Sequence, residues 1–166
     1  DFHGRISENS SSNEPGISKL STYLKNKKSL NKDGYIYINS GDYWQDTYES
    51  GYNKGALLTE CLDLMECETL SLGNHEFDGG YQKLLKQIKH SKFKWLSANV
   101  LDQNKTPIVD PFIIRDFDGF RVGVFGITTS QTKSSSSPGS ELIFENEISS
   151  AKKYIKILKD TYKADI

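Results

Sequence analysis

Residues 69–78 read Thr69-Leu70-Ser71-Leu72-Gly73-Asn74-His75-Glu76-Phe77-Asp78. Thr69 to Leu72 is β-compatible and mostly apolar, and it gives way at once to Gly73 and a polar turn. A glycine at that junction lets the backbone leave a strand sharply. The turn then delivers a carboxamide, an imidazole and two carboxylates just past a strand end. Open α/β sheets hold their ligands at the carboxyl ends of strands. The same figure recurs upstream, where the β-prone run Tyr35-Ile36-Tyr37-Ile38 feeds Ser40-Gly41-Asp42. A third fragment, Asp1-Phe2-His3-Gly4, offers a carboxylate and an imidazole two residues apart.

Helical patterns separate these strands. Ile17, Leu20 and Leu24 recur at helical spacing after the loop signal Pro15-Gly16, which predicts a helix over 17–28. Leu57, Leu58, Cys61, Leu62 and Met65 make a second apolar stripe, and Tyr81, Leu84, Leu85 and Ile88 a third. A strand lies within 93–100. Segments 112–115 and 120–127 flank Asp118-Gly119, a strong hairpin signal. Thr128 to Ser140 is serine-rich and reads as a loop. Ile148, Ala151, Ile155 and Leu158 complete a last amphipathic helix. Strands alternating with helices predict an α/β layered domain.

The chain has 166 residues, 36% hydrophobic and 26% charged, with a formal net charge of -1. That length suits one domain or part of a larger one. The near-neutral charge provides no basic field to recruit a nucleic-acid duplex. The lysines Lys25, Lys27, Lys28 and Lys32 read as a solvated helix end. No apolar run reaches a membrane-crossing length, so no transmembrane segment is expected. Cys61 and Cys67 lie on different faces of any shared helix, so buried thiols are expected rather than a bridge. The chain opens inside a ligand-like motif and closes on Ala164-Asp165-Ile166, which reads as the start of a strand. A piece of a larger domain is expected.

The three polar fragments support one chemistry. In an extended segment Asp1 and His3 point to the same side and converge on one cation, while Phe2 turns into the core. The carboxylate of Asp42 can bridge two cations. Asn74 offers a carbonyl oxygen to a metal, leaving His75 for the substrate. Asp78, three residues on, can accept from the His75 ring and fix its orientation. Two cations about 4 Å apart lower the pKa of a shared water and neutralise phosphoryl oxygens. A cationic His on the leaving side offsets charge building on the departing oxygen. The mixed nitrogen and oxygen donor set suits two divalent ions of zinc, manganese, cobalt or iron better than calcium. Each residue also has a plainer reading. Asp1 and His3 would be a frayed terminus, Asp42 a turn residue, Asn74 a helix cap, and Glu76 an acid near a positive helix end. The aromatic set Tyr43, Trp44, Tyr48 and Tyr52 reads first as a packed loop and second as a lining of the substrate approach.

The fragments Asp-Phe-His-Gly, Ser-Gly-Asp-Tyr-Trp-Gln and Gly-Asn-His-Glu-Phe-Asp, in this order, resemble the calcineurin-like metallophosphoesterases, most closely their 5'-nucleotidase branch. Leu96-Ser97-Ala98-Asn99-Val100 and the run from Val122 to Thr129 extend the resemblance over nearly the whole chain. It implies a four-layer α-β-β-α sandwich, of which residues 1–166 would be the N-terminal portion of the catalytic domain, inactive alone. The remaining strands, further metal-binding histidines and a C-terminal substrate domain would lie beyond it. It implies Asp1 and His3 on one metal, Asp42 bridging, Asn74 on the second, and His75 with Asp78 as the pair that stabilises the transition state. The implied activity is hydrolysis of nucleotides, with cyclic nucleotides or nucleotide sugars as alternatives, often outside the cytoplasm or at the cell surface. A metal-binding module without catalysis is the contrasting expectation. His90, at a lysine-rich helix end, is expected to be a surface cation.

Overall fold

Three parallel strands carry the polar turns noted above. The computed structural model describes residues 1–45, 47–52 and 55–166. Strand β1 (Ile38–Asn39) pairs in parallel with β2 (Thr69–Ser71), and β2 with β3 (Lys94–Leu96), in the order β1-β2-β3. Parallel neighbours need crossovers, and helices supply them. Helices α2 (Tyr48–Tyr52) and α3 (Ala56–Leu64) connect β1 to β2, and α4 (Tyr81–His90) connects β2 to β3. Helix α1 (Gly16–Leu30) precedes the sheet. Its Ile17, Leu20 and Leu24 pack against a core that contains Leu58 and Leu62 of α3, Leu70 of β2, Leu84 of α4 and Trp95 of β3. The apolar stripes read from the sequence are therefore the faces these helices bury.

The second half is antiparallel. Strand β4 (Val100–Leu101) pairs with β7 (Ile143–Phe144), and β5 (Phe112–Phe117) with β6 (Phe120–Phe125) across the Asp118-Gly119 turn. Asp118 and Gly119 both adopt positive φ, at 44° and 85°, as the tightest hairpin turns require. Helix α6 (Glu147–Asp160) lies on this hairpin: Tyr154 and Leu158 meet Phe112 and Gly123. A Cβ at Gly123 would sit 3.0 Å from Leu158 Cδ2, so the small residue permits the close approach. Asn146 caps α6 by accepting from the Ser149 N–H at 3.0 Å. These sheet-and-helix units realise the expected α/β sandwich.

Several boundaries differ from expectation. The β-prone run 35–38 enters the ladder only at Ile38, because its partner strand begins at Thr69. Short α2 and α5 (Thr132–Ser135) fall in stretches read as loops, and β7 falls where no element was expected. Ala164 to Ile166 bonds back to β6, with Asp165 N–H donating to Arg121 O at 2.7 Å and Gly123 N–H to Ile166 O at 2.8 Å. Cys61 and Cys67 are free thiols, and burial pushes Cys67 up to about 12. Among the described residues no helix is long and apolar enough to cross a membrane.

Candidate functional site

Two glycines bring the ends of β1 and β2 into backbone contact. A Cβ at Gly41 would lie 2.5 Å from the Gly73 nitrogen, and a Cβ at Gly73 would lie 2.5 Å from the Asp42 nitrogen. Gly41 also sits at φ 91°, where a side chain is strained. Asp42 follows at φ 47° and turns its carboxylate across to the second loop, where Oδ1 accepts the His75 N–H at 3.0 Å.

Glu76 fixes this junction from below. Its side chain is fully buried. One oxygen accepts from Asp42 N–H at 2.9 Å and Gly73 N–H at 2.8 Å; the other accepts from Tyr43 at 2.9 Å and Trp44 at 3.4 Å. One carboxylate thus ties four backbone donors of two loops. Burial pushes the Glu76 carboxyl above its usual range, while the donors from Tyr43, Gly73 and Asp42 pull it down. Glu76 is therefore a clamp between strand ends, not merely an acid at a helix start. The sequence offered no distance signal for this, because two of its partner residues lie 33 and 34 positions away.

The N-terminal fragment docks on the same junction. Phe2 and His3 N–H both donate to Asp42 O at 3.0 Å, and Phe2 stacks on buried Tyr43 with ring centroids 4.5 Å apart. Phe2 faces the core as expected. The segment is a turn rather than extended, with His3 at φ 51°. Asp1 and His3 still converge, with Asp1 Oδ1 3.8 Å from His3 Nε2.

His3, Asp42 and His75 each bring a ligand atom within 4.8 Å of the others. The His3 and His75 rings meet edge to face at 4.8 Å. His75 Nδ1 lies 2.7 Å from Asp78 Oδ2, so the carboxylate orients the ring and any proton it delivers leaves from Nε2. Asn74 opens the single 3-10 turn His75–Phe77, and its side chain makes no capping hydrogen bond to that turn. The plainer reading of Asn74 as an ordinary cap is thus not what its side chain does. Two imidazole nitrogens and a carboxylate drawn together from three loops fit a divalent cation, and Asp1 is not among the groups that meet there.

A buried polar network supports these loops from behind. Thr128, leaving β6, donates through Oγ1 to Leu72 O at 2.7 Å and through N–H to Asn99 Oδ1 at 2.9 Å. Asn99 Nδ2 returns to Thr128 O at 2.7 Å, and Ser97 Oγ lies 2.9 Å from Thr128 Oγ1. The end of β2 is thereby pinned to the segment that follows β6. Beside His75 and Asp78 opens a cavity of about 210 Å³ lined also by Trp44, Gln45, Ser50 and Lys83. Tyr43 and Trp44 are core residues, as the packed-loop reading had it, although Trp44 also borders the cavity; Tyr48 is exposed, and the side chain of Tyr52 lies outside the described residues. His90 is exposed at the end of α4 with Nδ1 2.6 Å from Lys86 O, remote from the cluster in role.

No protein-family model matches the chain. It is 30% identical over 172 residues to a 5'-nucleotidase of Diplobatis ommata, which covers 95% of the chain and 30% of that relative. The 5'-nucleotidase precursor of Thermus thermophilus superimposes with a TM-score of 0.83 at 28% identity, over 98% of this chain and 34% of that one. The calcineurin-like phosphoesterase YfkN of Bacillus subtilis shares the fold, with a TM-score of 0.79 at 20% identity, over 100% of this chain and 57% of that one. Over nearly its whole length the chain is thus similar to the N-terminal part of 5'-nucleotidases, and it shares the fold of a calcineurin-like phosphoesterase. The chain spans about a third of the length of the curated relatives it matches.

Proposed function

We propose that the chain forms part of a metal-dependent phosphoester hydrolase that releases phosphate from nucleotides. The observation that carries this is the meeting of His3, Asp42 and His75 within 4.8 Å, with Asp78 2.7 Å from the His75 ring. Asp1 and His3 would hold one divalent cation and Asn74 a second, with Asp42 serving both. Zinc, manganese, cobalt or iron suits this donor set. When bound, such a pair supplies an activated water and neutralises phosphoryl charge. The protein's own part is to orient and to move a proton. Asp42 is held by the His75 N–H, which keeps the bridging carboxylate and the imidazole in one fixed relation. Asp78 holds Nδ1, so His75 directs Nε2 at the leaving oxygen and offsets the charge that builds there. The cavity beside this pair is where the leaving nucleoside would lie. The 5'-nucleotidases of snake venom among its relatives make an extracytoplasmic or cell-surface address the matching one.

Replacing His75 by Asn separates the roles. Phosphate release from AMP in the presence of manganese should fall by about 100-fold or more, the usual range for losing a general acid. Manganese binding followed by calorimetry should persist. Substantial turnover in the variant would remove His75 from the chemistry.

A further inference from the structure

We infer that Ser136 is a positioning residue that locks Asp78, and through it His75, so that the serine-rich loop is part of the reacting geometry. This rests on the roles given above to His75 and Asp78. Ser136 Oγ donates to Asp78 Oδ1 at 2.6 Å, across 58 residues of sequence. Asp78 is then gripped from both sides, with Oδ2 on His75 Nδ1 at 2.7 Å and Oδ1 on Ser136. A carboxylate held by one oxygen can rotate about its Cβ–Cγ bond; held by two, it cannot rotate without breaking a bond. The imidazole inherits that restraint.

Ser136 is itself well anchored. The Ser136 N–H donates to Thr132 O at 3.1 Å, and Thr132 is fully buried with its hydroxyl on Thr129 O at 2.7 Å. The segment is rooted again where Ser130 N–H donates to Glu147 Oε1 at 2.6 Å. In the run Ser134 to Ser137, Ser136 is half-buried and its three neighbours are exposed. One hydroxyl of an otherwise solvent-facing stretch is thus turned inward onto Asp78. Composition alone marks the stretch as a loop and does not separate this serine from the others.

The test is made in the full-length protein that carries this chain, and compares Ser136→Ala, Ser136→Thr and Asp78→Asn with the unsubstituted protein. Phosphate release from AMP with manganese is measured, together with melting temperature and a crystal structure of Ser136→Ala. Ser136→Ala should lower kcat about 10-fold, the scale seen for partners that orient a functional histidine, with KM within about twofold. Ser136→Thr, which keeps the hydroxyl, should recover most of the loss. In the crystal the Asp78 carboxylate of Ser136→Ala should be rotated or split between conformers. Ser136→Ala with unchanged kcat beside a crippled Asp78→Asn would overturn the inference and leave the hydrolase reading standing. Equal losses in Ser136→Ala and Ser136→Thr with lowered melting would also overturn it, since they mark a folding role. An unsubstituted protein that releases no phosphate, or an Asp78→Asn variant with full activity, would overturn the hydrolase reading and this inference with it.

Discussion

Replacing Glu76 by Gln tests how the site is held together. The native carboxylate accepts four backbone N–H groups at 2.8 to 3.4 Å, two on each oxygen. A carboxamide retains one accepting oxygen and turns an NH2 group toward the other two donors. Leaving two buried N–H groups without partners costs about 1–3 kcal/mol each, or about 2–6 kcal/mol together. Relief from burying a charge offsets part of this and favours the lower half of that range. Set against a domain stability of about 5–15 kcal/mol, the loss is large. Urea and thermal unfolding measure it, and a melting temperature lower by about 5–15 °C is expected. The pH dependence carries a definite sign. Burial raises the folded-state pKa of Glu76, so the folded protein binds that proton more tightly than the unfolded chain. The associated stability is full below the ordinary carboxyl value of about 4.3 and is lost as pH rises through the raised one. A variant within about 0.5 kcal/mol of the native protein, the size of an inert surface change, would refute the clamp.

Two further outcomes follow from the same geometry. Gly41→Ala places a methyl 2.5 Å from the Gly73 nitrogen at φ 91°, so it should cost about 1–3 kcal/mol of backbone strain and weaken manganese binding by calorimetry. Cys67, buried with its thiol pushed up to about 12, should resist alkylation at pH 8 in the native protein and react only after unfolding, as mass spectrometry of the labelled chain would show.

The elements that announced themselves were those with periodicity. The stripe from Leu57 to Met65 and the stripe from Tyr81 to Ile88 became α3 and α4 because each repeats an apolar residue often enough to define a face. Helix α5 spans Thr132–Ser135 and strand β7 spans Ile143–Phe144, too short for any period to register. At the site, the approach of Asp42 to His75 and of His75 to Asp78 was legible because each lies just past a strand. The convergence of Asp1 with His3 was legible too, but its mechanism was not, since the positive φ of His3 is imposed by hydrogen bonds to Asp42 O. Glu76, Asn99 and Ser136 stayed hidden for one reason. Their partners are set by tertiary packing across tens of residues, and nothing local distinguishes a clamping carboxylate or a gripping hydroxyl from a solvated one.

The pinning of Thr128 to Asn99 and Leu72 has a consequence for how such a protein can change. The base of the 129–140 segment is indexed to the same strand end that presents Asn74 and His75. Provided Ser136 keeps its place, the tip can then be lengthened, shortened or recomposed while the donor atoms keep their spacing. Change there leaves the cavity beside His75 and Asp78 as it is, since none of its lining residues among those described comes from the segment.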